Sequence, residues 1–235
     1  HGKPALQKLD VFTRGDVEVQ DEGSQLLALL VDAKRGEMVV DFCAGAGGKT
    51  LALGAAMRNT GRLYAFDTSG HRLASLKPRL ARSGLSNVHP VQIAHERDDR
   101  IKRLAGKIDR VLIDAPCSGL GTLRRNPDLK WRQSPQAVAE LQVKQKAILA
   151  SASRLVKSGG RLVYATCSLL EAENEAVVAA FDEARGADFA PLAAADVLEA
   201  LKVPGAVQAT RGRFLRLWPH RHQTDGFFAA VWQRR

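Results

Sequence analysis

The chain has 235 residues, enough for one sizeable core with both faces of a sheet covered. Hydrophobic residues make up 45% and charged residues 26%, an ordinary globular composition that excludes a low-complexity chain, and Lys plus Arg exceed Asp plus Glu by 35 − 25 = 10. No apolar run reaches ~18 residues and "HGKPALQKLD" has no apolar signal core, so no membrane span is expected, cytoplasm is the default, and the positive balance suits a polyanion such as nucleic acid.

In chain order the pattern alternates. "GSQLLALLVDA" has helical spacing, "EMVVDFC" reads as a strand, and "KTLALGAAMRN" as a helix closed by Gly61. The strand "RLYAFD" precedes the helix "SGHRLASLKPRLARSG", where Pro78 predicts a kink or break. A short strand "VHPVQIA", a polar helix and the apolar strand "IDRVLIDAP" follow. "SPQAVAELQVKQKAILASASRLVKSGG" predicts one long amphipathic helix with a glycine stop, then come the strand "RLVYATCS" and the helix "ENEAVVAAFDEA". "RFLRLWP" and "GFFAAVWQRR" predict a C-terminal antiparallel hairpin joined by a polar turn. Strands alternating with helices make this an α/β protein around a mostly parallel sheet, with ligands at the carboxyl ends of the strands. Three of those ends carry unusual residues: "DFCAGAGG", "LIDAPCSG" and "YATCS".

The first of these poses a choice. "DFCAGAGGKT" ends like a phosphate-binding loop, but the first glycine of that pattern should stand where Cys43 does. Glycines packed at Gly45, Gly47 and Gly48 let a ligand approach the backbone, and Asp67 follows at the distance of a ribose-gripping acid. This fits an adenosine-type cofactor better than a triphosphate; the alternative is a tight turn with no ligand.

The three cysteines, Cys43, Cys117 and Cys167, lie far apart and suggest neither disulfides nor a zinc site; "HRH" at 220–222 lacks nearby acids or cysteines, and no metal is expected. A lone cysteine after an apolar strand is most often core. Two at neighbouring strand ends, one preceded by Asp114-Ala115-Pro116, point to thiolate chemistry beside a carboxylate. Basic residues crowd 123–132 and 210–222. Within the first cluster Trp131 lies among Arg124, Arg125, Lys130 and Arg132, as a base-stacking aromatic among phosphate-binding charges or, alternatively, as a core residue.

"VQDEGSQL", "DFCAGAGGKT", "LIDAPCSGLGTLRRNPDLKW", "GGRLVYATCSLLEAENEAVV" and "DGFFAAVW" together resemble the RNA cytosine-5 methyltransferases of the Sun/nucleolar-protein family, in the family's order and over nearly the whole chain. The resemblance implies a Rossmann-like class I fold with a seven-stranded, mostly parallel sheet, helices on both faces, and S-adenosyl-L-methionine as cofactor. It implies that Cys167 attacks C6 of cytosine, that Cys117 assists loss of the C5 proton and product release, and that Asp114 and Lys49 serve the same site. Cys43, Ala44, Gly45, Ala46, Gly47, Gly48 and Lys49 would hold the methionine end of the cofactor, Asp67 its ribose with Arg72 nearby, and Asp114 would also face the cofactor. Two departures stand out. Ala46 replaces the family's proline, which predicts a less rigid loop. His95 stands where the family has an acid near the adenine, with Asp98 or Asp99 as substitutes. The implied substrate is RNA, ribosomal RNA first and transfer RNA second; a non-catalytic RNA-binding assembly factor is the competing class. A monomer is expected, with residues 1–30 a lead-in segment and helix, 31–235 the catalytic domain, and the whole the C-terminal part of a longer protein.

Overall fold

The computed structural model describes residues 5–235; the first four residues of the expected lead-in lie outside them. Nine strands form one sheet: β1 (Met38–Asp41), β2 (Arg62–Asp67), β3 (Val88–Gln92), β4 (Ile108–Asp114), β5 (Val156–Thr166), β6 (Phe189–Leu192), β7 (Thr210–Arg211), β8 (Phe214–Leu217) and β9 (Phe227–Arg234). Their order is β3-β2-β1-β4-β5-β9-β8-β7. The first five are parallel, and β9 pairs antiparallel with β5. The far side of β9 is shared end to end by β8, opposite Phe227–Ala229, and β6, opposite Val231–Arg234. The seven expected strands are therefore joined by two short ones, β6 and β7, which the sequence reading missed because each shows too little alternation to stand out.

The helices are α1 (Glu22–Val31), α2 (Gly48–Ala56), α3 (Gly70–Ser83), α4 (Pro135–Ser153), α5 (Glu175–Arg185) and α6 (Ala194–Ala200), with shorter helical turns between. They bury two apolar clusters, one on each face of the sheet, one gathering Leu27, Leu30, Val39, Leu53 and Leu76, the other Phe42, Val111, Ile148, Phe181 and Trp232. Helix α3 runs through Pro78 without a break.

Two expectations are corrected. The long helix stops at Ser153, not at the glycines. Val156 already pairs with Ile108, and the register then jumps so that Arg161 faces Arg110. Lys157–Gly160 are thus a bulge inside β5, and Gly159 takes φ +74° there, a conformation glycine adopts without strain. The C-terminal hairpin is joined by a short helix, Pro219–His222, where a polar turn was expected.

Candidate active site

At the carboxyl ends of the parallel strands lies a cleft of about 880 Å³, lined by the 41–49 loop, Asp67, Arg72, His95, Asp114, Cys117 and Cys167 among others. Every sequence-predicted site residue except Gly47 borders it; Gly47 turns inward beneath the loop. At Gly47 φ is +83°, and a Cβ there would meet Leu76 Cδ1 at 2.1 Å, so only glycine lets the loop lie against α3.

The loop is tied down on all sides. Phe42 N–H donates to Leu112 O, Ala44 N–H to Phe66 O and Gly47 N–H to Ala44 O. Asp67 accepts from Gly45 N–H at 2.8 Å and from Ser69 N–H at 2.7 Å. Where the family's proline is missing, the Ala46 carbonyl accepts from Arg79 Nη1 at 2.5 Å. Sequence reasoning overlooked Asp41, the last residue of β1. Its Oδ2 accepts from Thr50 Oγ1 at 2.7 Å, while buried Oδ1 has no partner. Burial pushes the Asp41 carboxyl up to about 7, and the nearby Asp114 and Asp67 carboxylates add to that.

A pH effect follows. The folded value exceeds the ordinary 3.8, so the stability from protonated Asp41 is complete below about pH 4 and is lost as pH rises through about 7. Asp41→Asn keeps an acceptor for Thr50. Its stability relative to the parent is expected to be greater near pH 8 than near pH 5, read by thermal melting without ligand. A difference that does not change with pH would show that Asp41 does not titrate in this range.

At the far end of the cleft His95 Nδ1 accepts from Arg97 N–H at 3.1 Å, which leaves Nε2 for a ligand. The substitutes considered for it are otherwise engaged. Asp98 accepts from Ala94 N–H and Arg100 N–H, and Asp99 pairs with Lys102; neither lines the cleft. The carboxylate of this stretch that does border it is Glu96, directly beside His95. It stood in the same acid-rich stretch, but only the backbone path after β3 selects it.

At the near end β4 and β5 run in register to Asp114 and Ala165, so the residues just beyond them converge. Cys117 Sγ and Cys167 Sγ are 3.4 Å apart. Lys49 Nζ pairs with Asp114 Oδ2 at 2.7 Å and lies 5.6 Å from the centre of the Phe227 ring. The hydrogen bond from Cys117 draws the Cys167 thiol below its ordinary range, with Lys49 helping and burial and Asp114 opposing. Donating that bond, together with burial, pushes Cys117 well above the ordinary range. Burial and the carboxylates of Asp41, Asp114 and Asp67 do the same to Cys43. Of the two, Cys167 is therefore the more readily ionised, and Cys117 is placed to donate to it. Asp114 holds Lys49 charged and raises its affinity for the proton against the cost of burial.

A family model described as 16S rRNA methyltransferase RsmB/F matches residues 28–233. The chain belongs to this family. Two relatives carry the name probable ribosomal RNA small subunit methyltransferase B. The one from Synechocystis sp. is 38% identical over 96% of this chain and 49% of its own length. The one from Bacillus subtilis is 37% identical over 92% of this chain and 47% of its own length. The chain thus spans about half the length of the curated relatives it matches. The solved structure of NSun6 from Pyrococcus horikoshii with SFG aligns at a TM-score of 0.82 and 27% identity, over 99% of this chain and 56% of that one. With the family established, the Rossmann-like class I fold is established too, with its mostly parallel sheet and antiparallel C-terminal strands.

The basic clusters divide on inspection. Arg124 and Arg125 both reach the buried carboxylate of Asp225, and Arg124 also lies 3.6 Å from Asp21. Arg216 is buried against Trp218 and Phe228, and Arg213 pairs with Asp182. These side chains tie the molecule to itself, which the expectation of phosphate ligands did not foresee, because sequence shows charge but not its partner. Trp131 is 80% exposed, so it is no core residue, and Lys130 Nζ sits 4.9 Å from its ring centre. Among the described residues no cluster fit to hold a metal occurs, and no helix is long and apolar enough to cross a membrane.

Proposed function

We propose that the chain transfers a methyl group from S-adenosyl-L-methionine to C5 of a cytosine in RNA, ribosomal RNA first, with residues 31–235 as the catalytic domain. The observation that carries this reading is the pair of sulfurs 3.4 Å apart, the Cys167 thiol drawn below its ordinary range and the Cys117 thiol pushed above it, beside the Lys49–Asp114 pair. A non-catalytic RNA-binding factor has no use for such a pair in a cleft. The exposed Trp131 with Lys130 beside it supports a nucleic-acid partner.

The cleft's own residues suit the cofactor. The backbone of residues 45–48 would allow close approach, Asp67 would hold the ribose with Arg72 near, and His95 and Glu96 would meet the adenine; apart from Gly47, all of these residues line the cleft. Asp41, whose buried Oδ1 has no partner, is among the residues lining the cleft and would suit a cationic amino acid end. When bound, the cofactor supplies an electrophilic methyl group. The Cys167 thiolate adds to C6 of the ring, which makes C5 nucleophilic. Asp114, held by Lys49, hydrogen-bonds the ring edge. Once C5 carries the methyl group its proton must leave, and Cys117 assists that loss; the electron pair then expels Cys167 from C6.

The test uses cytosine tritiated at C5 in transcripts of small-subunit ribosomal RNA, with transfer RNA in parallel. Tritium release that requires S-adenosyl-L-methionine and a ribosomal transcript is the expected result. Methylation elsewhere, with no tritium released, would overturn the C5 assignment. Calorimetry gives the companion prediction. Asp67→Ala is expected to weaken cofactor binding by about 1–3 kcal/mol, the scale of a hydrogen bond to a charged group. Unchanged affinity would remove Asp67 from the site.

A further inference from the structure

One buried acid takes no part in the chemistry above. Glu173 ends the short turn Glu171–Glu173 between β5 and α5 and is fully buried. A buried carboxylate is costly unless its oxygens are hydrogen-bonded. Here Oε1 accepts from Ser118 N–H at 2.8 Å and Gln145 Nε2 at 3.0 Å; Oε2 accepts from Ser118 Oγ at 2.5 Å and from Ser168 Oγ. Ser118 follows Cys117 and Ser168 follows Cys167 in the chain. The two serine hydroxyls are themselves 3.1 Å apart.

The backbone on either side is held from the same place. Gln145 also donates to Pro116 O, just before Cys117. Asn174, next to Glu173, accepts from Thr166 Oγ1 at 2.5 Å and donates to Ser168 O at 3.0 Å, so it grips both neighbours of Cys167. The two cysteine loops come from different strands; outside this network Gly121 N–H donates to Cys167 O at 2.8 Å, which ties the backbones but not the serines that follow the two sulfurs.

We propose that Glu173 is a positioning residue, a single buried acceptor that clamps the serine after each cysteine and thereby keeps the two sulfurs in contact. Its value to catalysis rests on the reading of Cys167 as nucleophile and Cys117 as its partner. The clamp itself acts in the chain without RNA or cofactor.

Position and charge predict opposite outcomes. A carboxylate acting by charge alone would disfavour a nearby thiolate, so removing it would lower the Cys167 titration point. A carboxylate acting by position keeps Cys117 donating to Cys167, so removing it would raise that point. Glu173→Gln separates the two. Its Oε1 still accepts from Ser118 N–H and Gln145, and its Nε2 can donate to serine hydroxyls, which rotate to accept.

The experiment is alkylation of the intact chain by iodoacetamide across pH, with Cys167 resolved by peptide mass spectrometry. Thermal melting and cofactor binding report the fold. Glu173→Ala is expected to raise the Cys167 midpoint by about one pH unit, toward an ordinary thiol, while Glu173→Gln stays at the parental value. Should Glu173→Ala fail to fold, Ser118→Ala and Ser168→Ala decide by the same upward shift, since each removes one arm of the clamp. A folded Glu173→Ala, or in its absence both serine variants, with the parental midpoint would overturn the proposal. So would a downward shift in both Glu173 variants. Failure of the tritium assay in the parent would count against the cytosine reaction and would leave the alkylation result standing.

Discussion

Cys117→Ala is expected to leave the chain covalently trapped on its RNA. Addition of Cys167 to the ring and its departure are separate steps, and departure requires prior loss of the C5 proton. Without Cys117 the bond forms and is not released. With cofactor present, a protein–RNA adduct should accumulate as a shifted band on a denaturing gel. The hydrogen bond that draws Cys167 toward the thiolate comes from Cys117, so the adduct should also form more slowly than the first step in the parent. Cys167→Ala should give neither adduct nor product, because nothing activates the ring. The double variant should behave as Cys167→Ala, since the missing first step hides the second. An adduct with Cys167→Ala but none with Cys117→Ala would reverse the roles. Full methylation by both single variants would mean that neither thiol is catalytic.

Gly121→Ala is expected to disable the site through the backbone. Gly121 lies in the turn Leu120–Thr122, where its N–H donates to Cys167 O and its carbonyl accepts from Gly226 N–H, each at 2.8 Å. Three segments far apart in sequence meet there main chain to main chain. A Cβ on Gly121 would stand 2.2 Å from Gly226 O and 2.7 Å from Cys167 O. Neither atom is the end of a flexible side chain, so the segments must part. Overpacking of this kind costs about 1–3 kcal/mol or more, roughly 2–12 °C in Tm for a chain of this size. Cys167 moves with its carbonyl, so methyl transfer should fall further than the loss of folded protein explains. Parental Tm together with parental activity would show that the junction opens freely and does not place Cys167.

Much of this protein was legible as local pattern. The apolar strands β1, β2, β4 and β5 and the capped helices between them follow from hydrophobic period and from turn residues such as Gly47 and Gly84. That pattern names the strand ends, and the strand ends carry Asp67, Asp114, Cys117 and Cys167. Chain geometry was less legible where the sheet overrode it. Val156 looks helical in its own neighbourhood, but it joins β5 because Ile108 offers an open strand edge. The short β6 has no pattern of its own and exists because β9 is there to pair with it.

By itself, then, the sequence determined which residue types stand at which strand ends, since period and spacing are properties of neighbours along the chain. The tertiary structure alone decided what each charge and thiol meets. Arg124 and Arg125 face Asp225, about 100 residues away, and not solvent phosphate alone. Glu96, Asp41 and Glu173 acquire their surroundings only when separate strands are brought side by side. The unequal acidity of two cysteines 50 residues apart arises first from the contact between their sulfurs, with burial and the charges of Lys49 and Asp114 acting on it. Hydrogen bonding, burial and electrostatic coupling depend on distance in space, and a sequence records only distance along the chain.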